Sequence, residues 1–404
     1  MKKIKMGNEM IDFIDLKCLV VSKGVRVDPA VYERFSGIYN ISTDLRRLSC
    51  LIFSDGTVAT FTDMEPVLER WGQRYFWTAE EKTSYHPQLQ TPFFVRVQDD
   101  RPALFFHEEF LDYVTFPKKN NFYDQVTSDG LPFCPSAVLQ GTDWLTFGYL
   151  WPCEFAKAGM PCQFCHCGNE TSARVKNKQP FDPPITGQQM TEIIRYAVES
   201  VGSQHVQITG GSTFEGKTEH KHFQYYLQAI GENLGREKIP GDIVFYITPP
   251  RELALVDEYI ENGVDQIACS VEVWDEKLAK IITPGKMKYT TRQRHLDVLQ
   301  HIVEKYGPHH CFCNFVVGLE PVESMAEGAR WLAERGITPA VSIWQPAGLT
   351  VNGSMTPPGL DYYRAVKELF LELYAKYDLK PAERTGENGC IEEEFYRAVH
   401  ASDA

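Results

Sequence analysis

From residue 138 onward, short apolar runs alternate with longer stretches in which apolar positions recur every three to four residues. That is the pattern of buried strands alternating with amphipathic helices. Val138 to Tyr149 reads as extended. A helix is predicted after Thr186, where Thr186-x-x-Gln189 suits a capping box and Met190, Ile193, Ile194, Ala197 and Val201 share one face. His205–Thr209, Asp242–Ile247, Gln266–Val271, Cys311–Val317 and Ala340–Trp344 read as further strands. Between them the spacing predicts helices: one carrying Phe223, Tyr226, Leu227, Ile230 and Leu234, one from Glu252 to a stop at Gly263, and one from Thr291 to Tyr306. Another is capped by Ser324-x-x-Glu327 and stops at Gly336, and Leu360 to Tyr374 is read as the last helix. Six β/α units in succession predict an α/β fold, a partial (β/α)6 TIM-like barrel built on parallel strands. Chemistry in such barrels sits at the C-terminal ends of the strands.

The first 130 residues follow a different pattern, with aromatic-rich extended runs broken by turn signals. Leu51 to Phe61 reads as a hairpin turning at Asp55-Gly56, and Thr91 to Phe106 as a second turning around Asp99 to Pro102. The expected division is therefore a β-rich accessory unit over 1–130, a barrel core over 131–350 and a helical extension over 351–404.

Composition adds limits. At 404 residues and 43% hydrophobic, the chain can bury a sizeable core. A net charge of −13 argues against general nucleic-acid binding, which needs a basic surface. No apolar run approaches the roughly 20 residues that span a bilayer. The start, Met1 to Met10, is charged without an apolar stretch behind it, so no signal peptide is expected and the location is read as cytoplasmic. Eleven cysteines in that setting imply reduced thiols or metal ligands.

The densest candidate chemistry lies in Trp151 to Cys167, where Cys153, Cys162 and Cys165 are spaced C-x8-C-x2-C with Phe164 directly before the third. Three thiolates on one loop can hold three irons of a 4Fe–4S cluster and leave the fourth iron open to a reactant. Three further motifs fall at predicted strand ends: Gly210-Gly211, Ser270-Val271-Glu272, and Asn314 to Glu320.

Over residues 138 to 350 this combination resembles the radical S-adenosylmethionine (radical SAM) superfamily. The resemblance implies a cluster held by Cys153, Cys162 and Cys165, whose open iron binds the amino and carboxylate groups of S-adenosylmethionine. It places Phe164 near the adenine, Gly210 and Gly211 near the methionine group, and Ser270 and Glu272 at the ribose or methionine part. Lys286 or Arg292 would face the methionine carboxylate, and Val317 would pack on the adenine. The family's common spacing is C-x3-C-x2-C, so this chain has five more residues in the first gap, and Ser212 stands where the family usually has glutamate. Gln345 to Thr350 resembles the strand-six end of the biotin-synthase-like branch. The implied function is reductive cleavage of S-adenosylmethionine to a 5′-deoxyadenosyl radical that takes hydrogen from a small-molecule substrate. The electron would come from an external donor of flavodoxin or ferredoxin type. The alternatives are a zinc- or iron–sulfur-binding scaffold, with or without His166 among the ligands, or a radical enzyme that modifies a peptide. Cys167 is open between bystander, substitute ligand and substrate-side thiol. Cys134, Cys311, Cys313 and Cys390 stay open as ligands of a second metal site.

Overall fold

A computed structural model describes residues 2–41, 48–62, 91–148, 150–345, 356–382 and 389–400. Its centre is a curled seven-stranded sheet. The strands are β9 (Val138–Gln140), β10 (Trp144–Phe147), β11 (His205–Ile208), β12 (Ile243–Tyr246), β13 (Gln266–Ala268), β14 (Cys311–Val317) and β15 (Thr338–Ile343), hydrogen-bonded in that order. β10 to β15 run parallel, which makes the expected six-stranded half-barrel. The single extended stretch expected from Val138 is instead a hairpin: β9 turns at Gly141 and pairs antiparallel with β10, closing that edge of the sheet.

Strand side chains sort with period two. Val206, Ile208, Ile243, Phe245, Ile267, Phe315, Val317 and Val341 face the surrounding helices and join the main core. Trp144, Val244, Ala268, Phe312 and Ala340 point the other way and plug the barrel floor. The helix Gly187–Tyr196 begins with the expected capping box, Thr186 accepting from the Gln189 N–H and Gln189 accepting from the Thr186 N–H. Thr291 caps Arg292–Tyr306. The cap expected at Ser324 is absent, because the helix Val322–Ala333 starts two residues earlier, behind Pro321. A helix Glu276–Ile282, capped by Asp275, and a π-turn Lys286–Thr290 stand where the periodicity showed nothing. Leu360–Lys376 is followed by one more helix, Glu392–His400.

Before the barrel come the hairpin β1 (Lys3–Met6) and β2 (Glu9–Asp12), and a sheet of β3 (Arg26–Val27), β6 (Phe93–Gln98), β7 (Arg101–Phe106) and β8 (Glu109–Tyr113). The pair β4 (Leu48–Ile52) and β5 (Val58–Thr62) is the expected Asp55-Gly56 hairpin, and β6–β7 is the second. The helix Phe13–Lys23 is buried along nearly its whole length. It is locked to the C-terminal helices by ion pairs, Lys17 to Glu394 at 2.5 Å and Lys367 to Asp12 at 2.9 Å. Removing one partner of such a buried pair costs about 3–5 kcal/mol, because the other charge is left without compensation.

Candidate active site

At the C-terminal ends of the parallel strands the barrel opens into a cavity of about 280 Å³. The cysteine loop forms one wall. It leaves β10, passes Trp151 and reaches Cys153, which stands at the start of the helical turn Glu154–Lys157. The long first gap is therefore folded chain. Phe155 in that turn stacks on Tyr289 at 5.5 Å and lies 6.0 Å from Phe214. The loop is held on both sides: the Glu154 N–H donates to the Ser212 carbonyl at 2.8 Å, and the Gln163 N–H to the Ile282 carbonyl at 2.8 Å. Cys165 then starts the helix His166–Lys176.

Cys153, Cys162, Cys165 and Cys167 all line the cavity. Burial pushes all four thiols up, Cys165 to about 11 and Cys162 and Cys167 well above the usual thiol value. Without metal they are neutral thiols, and metal binding must displace their protons.

Gly210 and Gly211 are required by close packing against this loop. A β-carbon on Gly210 would lie 2.2 Å from the Trp151 ring, and one on Gly211 2.2 Å from the Cys153 backbone nitrogen. The Trp151 Nε1–H donates to the Gly211 carbonyl at 2.6 Å, and the Gly211 N–H to the Trp151 carbonyl at 2.8 Å. The room that two missing side chains leave is thus filled by the chain itself.

In the same cavity, Glu272 pairs with Lys286 at 2.8 Å, and the same ammonium donates to the Ser270 carbonyl at 2.8 Å. Burial alone would lower the Lys286 pKa, but Glu272 and Cys162 offset it and hold the ammonium above its usual value. Glu272 adopts φ of 68°, a left-handed backbone uncommon outside glycine, yet keeps a parallel bridge to Phe315. Such conformations cost on the order of 1–3 kcal/mol and persist where surrounding structure enforces them. Phe164 joins Val316, Leu319, Trp344 and Val273 in an apolar shelf beside the pair.

Two expected residues sit elsewhere. Val317 faces the helices in the main core, and its neighbour Val316 lines the cavity. Arg292 does not line the cavity. Its guanidinium lies 4.9 Å over the Trp274 ring and donates to the Trp274 carbonyl. Glu320, at the end of the β14 motif, accepts from the Trp274 and Asp275 N–H groups at 2.9 and 2.7 Å, tying the ends of strands four and five together. Cys311 and Cys313 face away from the cavity, into the main core. Cys390 lies 3.4 Å from the Ser342 hydroxyl. Residues 346–350 of the strand-six motif, and Tyr149, are outside the described residues.

The sequence did not single out Gln207, Glu219, Thr248 and Ser342, and Asn314 and Gln345 entered only as the first residues of two motifs, without a role; all six line the cavity. Gln207 and Asn314 are polar positions inside otherwise apolar strands, and that was the available signal.

The donor set fits an iron–sulfur cluster with S-adenosylmethionine: several buried thiols, an acid–ammonium pair and an apolar shelf share one cavity.

Residues 154–338 match the family model of the Radical SAM superfamily. That stretch is a little under half of the chain, and over it the chain is similar to the superfamily. The family's cofactors are S-adenosylmethionine and an iron–sulfur cluster. Among curated proteins, the chain is similar to a bacteriochlorophyllide c C-7(1)-hydroxylase of Chlorobaculum limnaeum, 23% identical over 261 residues, covering 62% of this chain and 64% of the relative. Among solved structures it is similar to a radical SAM methyltransferase from Sphaerobacter thermophilus, at 13% identity and a TM-score of 0.44, covering 79% of this chain and 92% of that one. It is also similar to SuiB of Streptococcus suis bound to S-adenosylmethionine, at 15% identity and a TM-score of 0.42, covering 60% of this chain and 50% of SuiB. The chain thus spans somewhat under two thirds of the hydroxylase and half of SuiB. No helix among the described residues is long and apolar enough to cross a membrane.

Proposed function

We propose that the protein is a radical SAM enzyme that cleaves S-adenosylmethionine reductively and takes hydrogen from an unactivated carbon of a small molecule. The observation that carries this reading is that Cys153, Cys162 and Cys165 share one cavity with the Glu272–Lys286 pair. When bound, a 4Fe–4S cluster and S-adenosylmethionine supply a 5′-deoxyadenosyl radical.

The three thiolates would hold three irons, leaving the fourth for the methionine amino and carboxylate groups. Glu272 would accept hydrogen bonds from the ribose hydroxyls or the methionine ammonium, and its partner Lys286 would hold the carboxylate in place. Phe164 and Val316 would flank the adenine and keep water from the reacting centre. Cys167, on the same wall, would stand beside the cluster without being needed to hold it. The electron would come from an external flavodoxin- or ferredoxin-type donor.

The test is anaerobic incubation of iron-loaded, dithionite-reduced protein with S-adenosylmethionine. The expected products are methionine and 5′-deoxyadenosine, formed slowly alone and faster with substrate. A sample with full iron content that makes no 5′-deoxyadenosine would refute the reading, and S-adenosylhomocysteine as the sole product would replace it with methyl transfer.

A further inference from the structure

Below the shelf and the cysteine wall, the cavity reaches into the barrel between β11 and β14, and there its character changes. Gln207 and Asn314 are 6% and 7% exposed, in strands whose other residues are almost all apolar. The Asn314 Nδ2–H donates to the Ser342 hydroxyl at 2.8 Å, which leaves Oδ1 as the free end of the amide. Neither Asn314 Oδ1 nor Gln207 Oε1 has a hydrogen-bond partner among the described residues. A buried, unpaired acceptor is destabilising, because it has given up its hydrogen bonds to water without replacing them. Two of them lining one cavity are stored instability that a ligand can relieve.

The charges narrow what that ligand is. The charged residues described around the cavity are Glu219, Glu272 and Lys286. The ammonium is already engaged by Glu272. An anionic group in the deep part of the cavity would bring only acceptors to two acceptors, and the cation described there is already engaged.

We propose that Gln207 and Asn314 are the specificity-determining residues for the substrate, two acceptors that select a neutral or cationic molecule presenting N–H or O–H donors and reject an anionic one. This deepens the reading above and rests on it for what happens to the substrate, though not for where the substrate sits.

Two measurements test it. First, the small-molecule fraction of a cell extract is separated by ion exchange into cationic, neutral and anionic pools. Each pool is added to the reduced, cluster-loaded enzyme, and 5′-deoxyadenosine formation is read as a ratio to the same sample without a pool. Stimulation is expected from the cationic or neutral pool. In Gln207→Leu and Asn314→Leu, the amount of that pool giving half-stimulation should rise roughly ten- to a hundredfold. Stimulation by the anionic pool alone, or an unshifted half-point in both variants, overturns the proposal. Second, the thermal midpoint of Gln207→Leu is measured without substrate or reductant. Replacing an unpaired buried amide with an apolar side chain of similar length should raise Tm by about 1–2 °C. An unchanged or lower Tm means that the amide is a structural group already satisfied, and the proposal falls. Because this second arm involves no radical chemistry, it judges the acceptors even if no 5′-deoxyadenosine forms anywhere, an outcome that would count against the enzyme reading alone.

Discussion

Gly211 lies directly against the backbone of Cys153: a β-carbon there would sit 2.2 Å from the Cys153 nitrogen and 2.4 Å from its α-carbon. The end of β11 and the first cysteine of the loop are thus one packed unit, and the glycine would act on the proposed cluster site through the loop. Gly211→Ala should push the loop off the strand and lower the iron bound per chain. Gly231→Ala is the control, since nothing lies within 4 Å of its would-be β-carbon and the residue sits in the helix Lys217–Asn233. It should leave iron unchanged and raise stability by about 0.5–1 kcal/mol. Full iron retention in Gly211→Ala would show that the loop can yield without disturbing its cysteines.

The cysteines themselves divide three against one. Cys153→Ala, Cys162→Ala and Cys165→Ala should each abolish the broad visible absorption of the reconstituted protein, because two thiolates do not retain the cluster. Cys167→Ala should keep most of its iron, although that thiol is buried on the same wall. Iron loss in Cys167→Ala equal to that of the other three would redraw the ligand set.

Glu272→Ala removes a charged acceptor and leaves the Lys286 ammonium, itself mostly buried, without its carboxylate. Affinity for S-adenosylmethionine, read by calorimetry, should fall roughly ten- to a hundredfold while iron content stays. Pairing it with Lys286→Met should restore thermal stability, since the stranded charge is gone, but not affinity. Affinity near wild type in Glu272→Ala would place the cofactor away from strand four.

Glu219 supplies a pH test. Burial pushes its carboxyl up to about 8, against the lowering effect of the Thr248 N–H that donates to it at 2.6 Å. Between the unfolded value near 4.5 and about 8, the folded chain keeps a proton that the unfolded chain releases. This group's contribution is therefore fully present below the lower value and shrinks as pH rises through the window. Glu219→Gln keeps an acceptor for Thr248 and cannot ionise. Its Tm relative to wild type should climb between about pH 5 and about pH 9. A constant difference across that range would mean that Glu219 titrates as an ordinary carboxylate.

The barrel was legible because its signals are local. Apolar period, the Thr186 cap and glycine stops are written within single segments, and residues adjacent in sequence report them. What failed was also local in cause. β9 and β10 merge into one extended stretch because the turn between them is only residues 141–143, marked by Gly141 with its left-handed φ of 58°. The helix Glu276–Ile282 is too short to show a period. Phe13–Lys23 is buried on nearly all sides, so it has no polar face to betray it.

The sequence by itself determined the three-cysteine loop, the order of six β/α units and the strand ends at which chemistry had to lie. The curled sheet decided the rest. Cys311–Val317 is buried on both faces, so its hydrophobicity does not say which valine faces the cavity; the pairing of β14 with β15 puts Val316 inside and Val317 among the helices. Arg292 went to Trp274, and Gly211 to Cys153, because those partners are 18 and 58 positions away in the chain and meet only once the barrel has closed. Gln207 and Asn314 acquired a common purpose the same way: a strand fixes the direction of its own side chains, but only the curl of the sheet turns two distant strands towards one space.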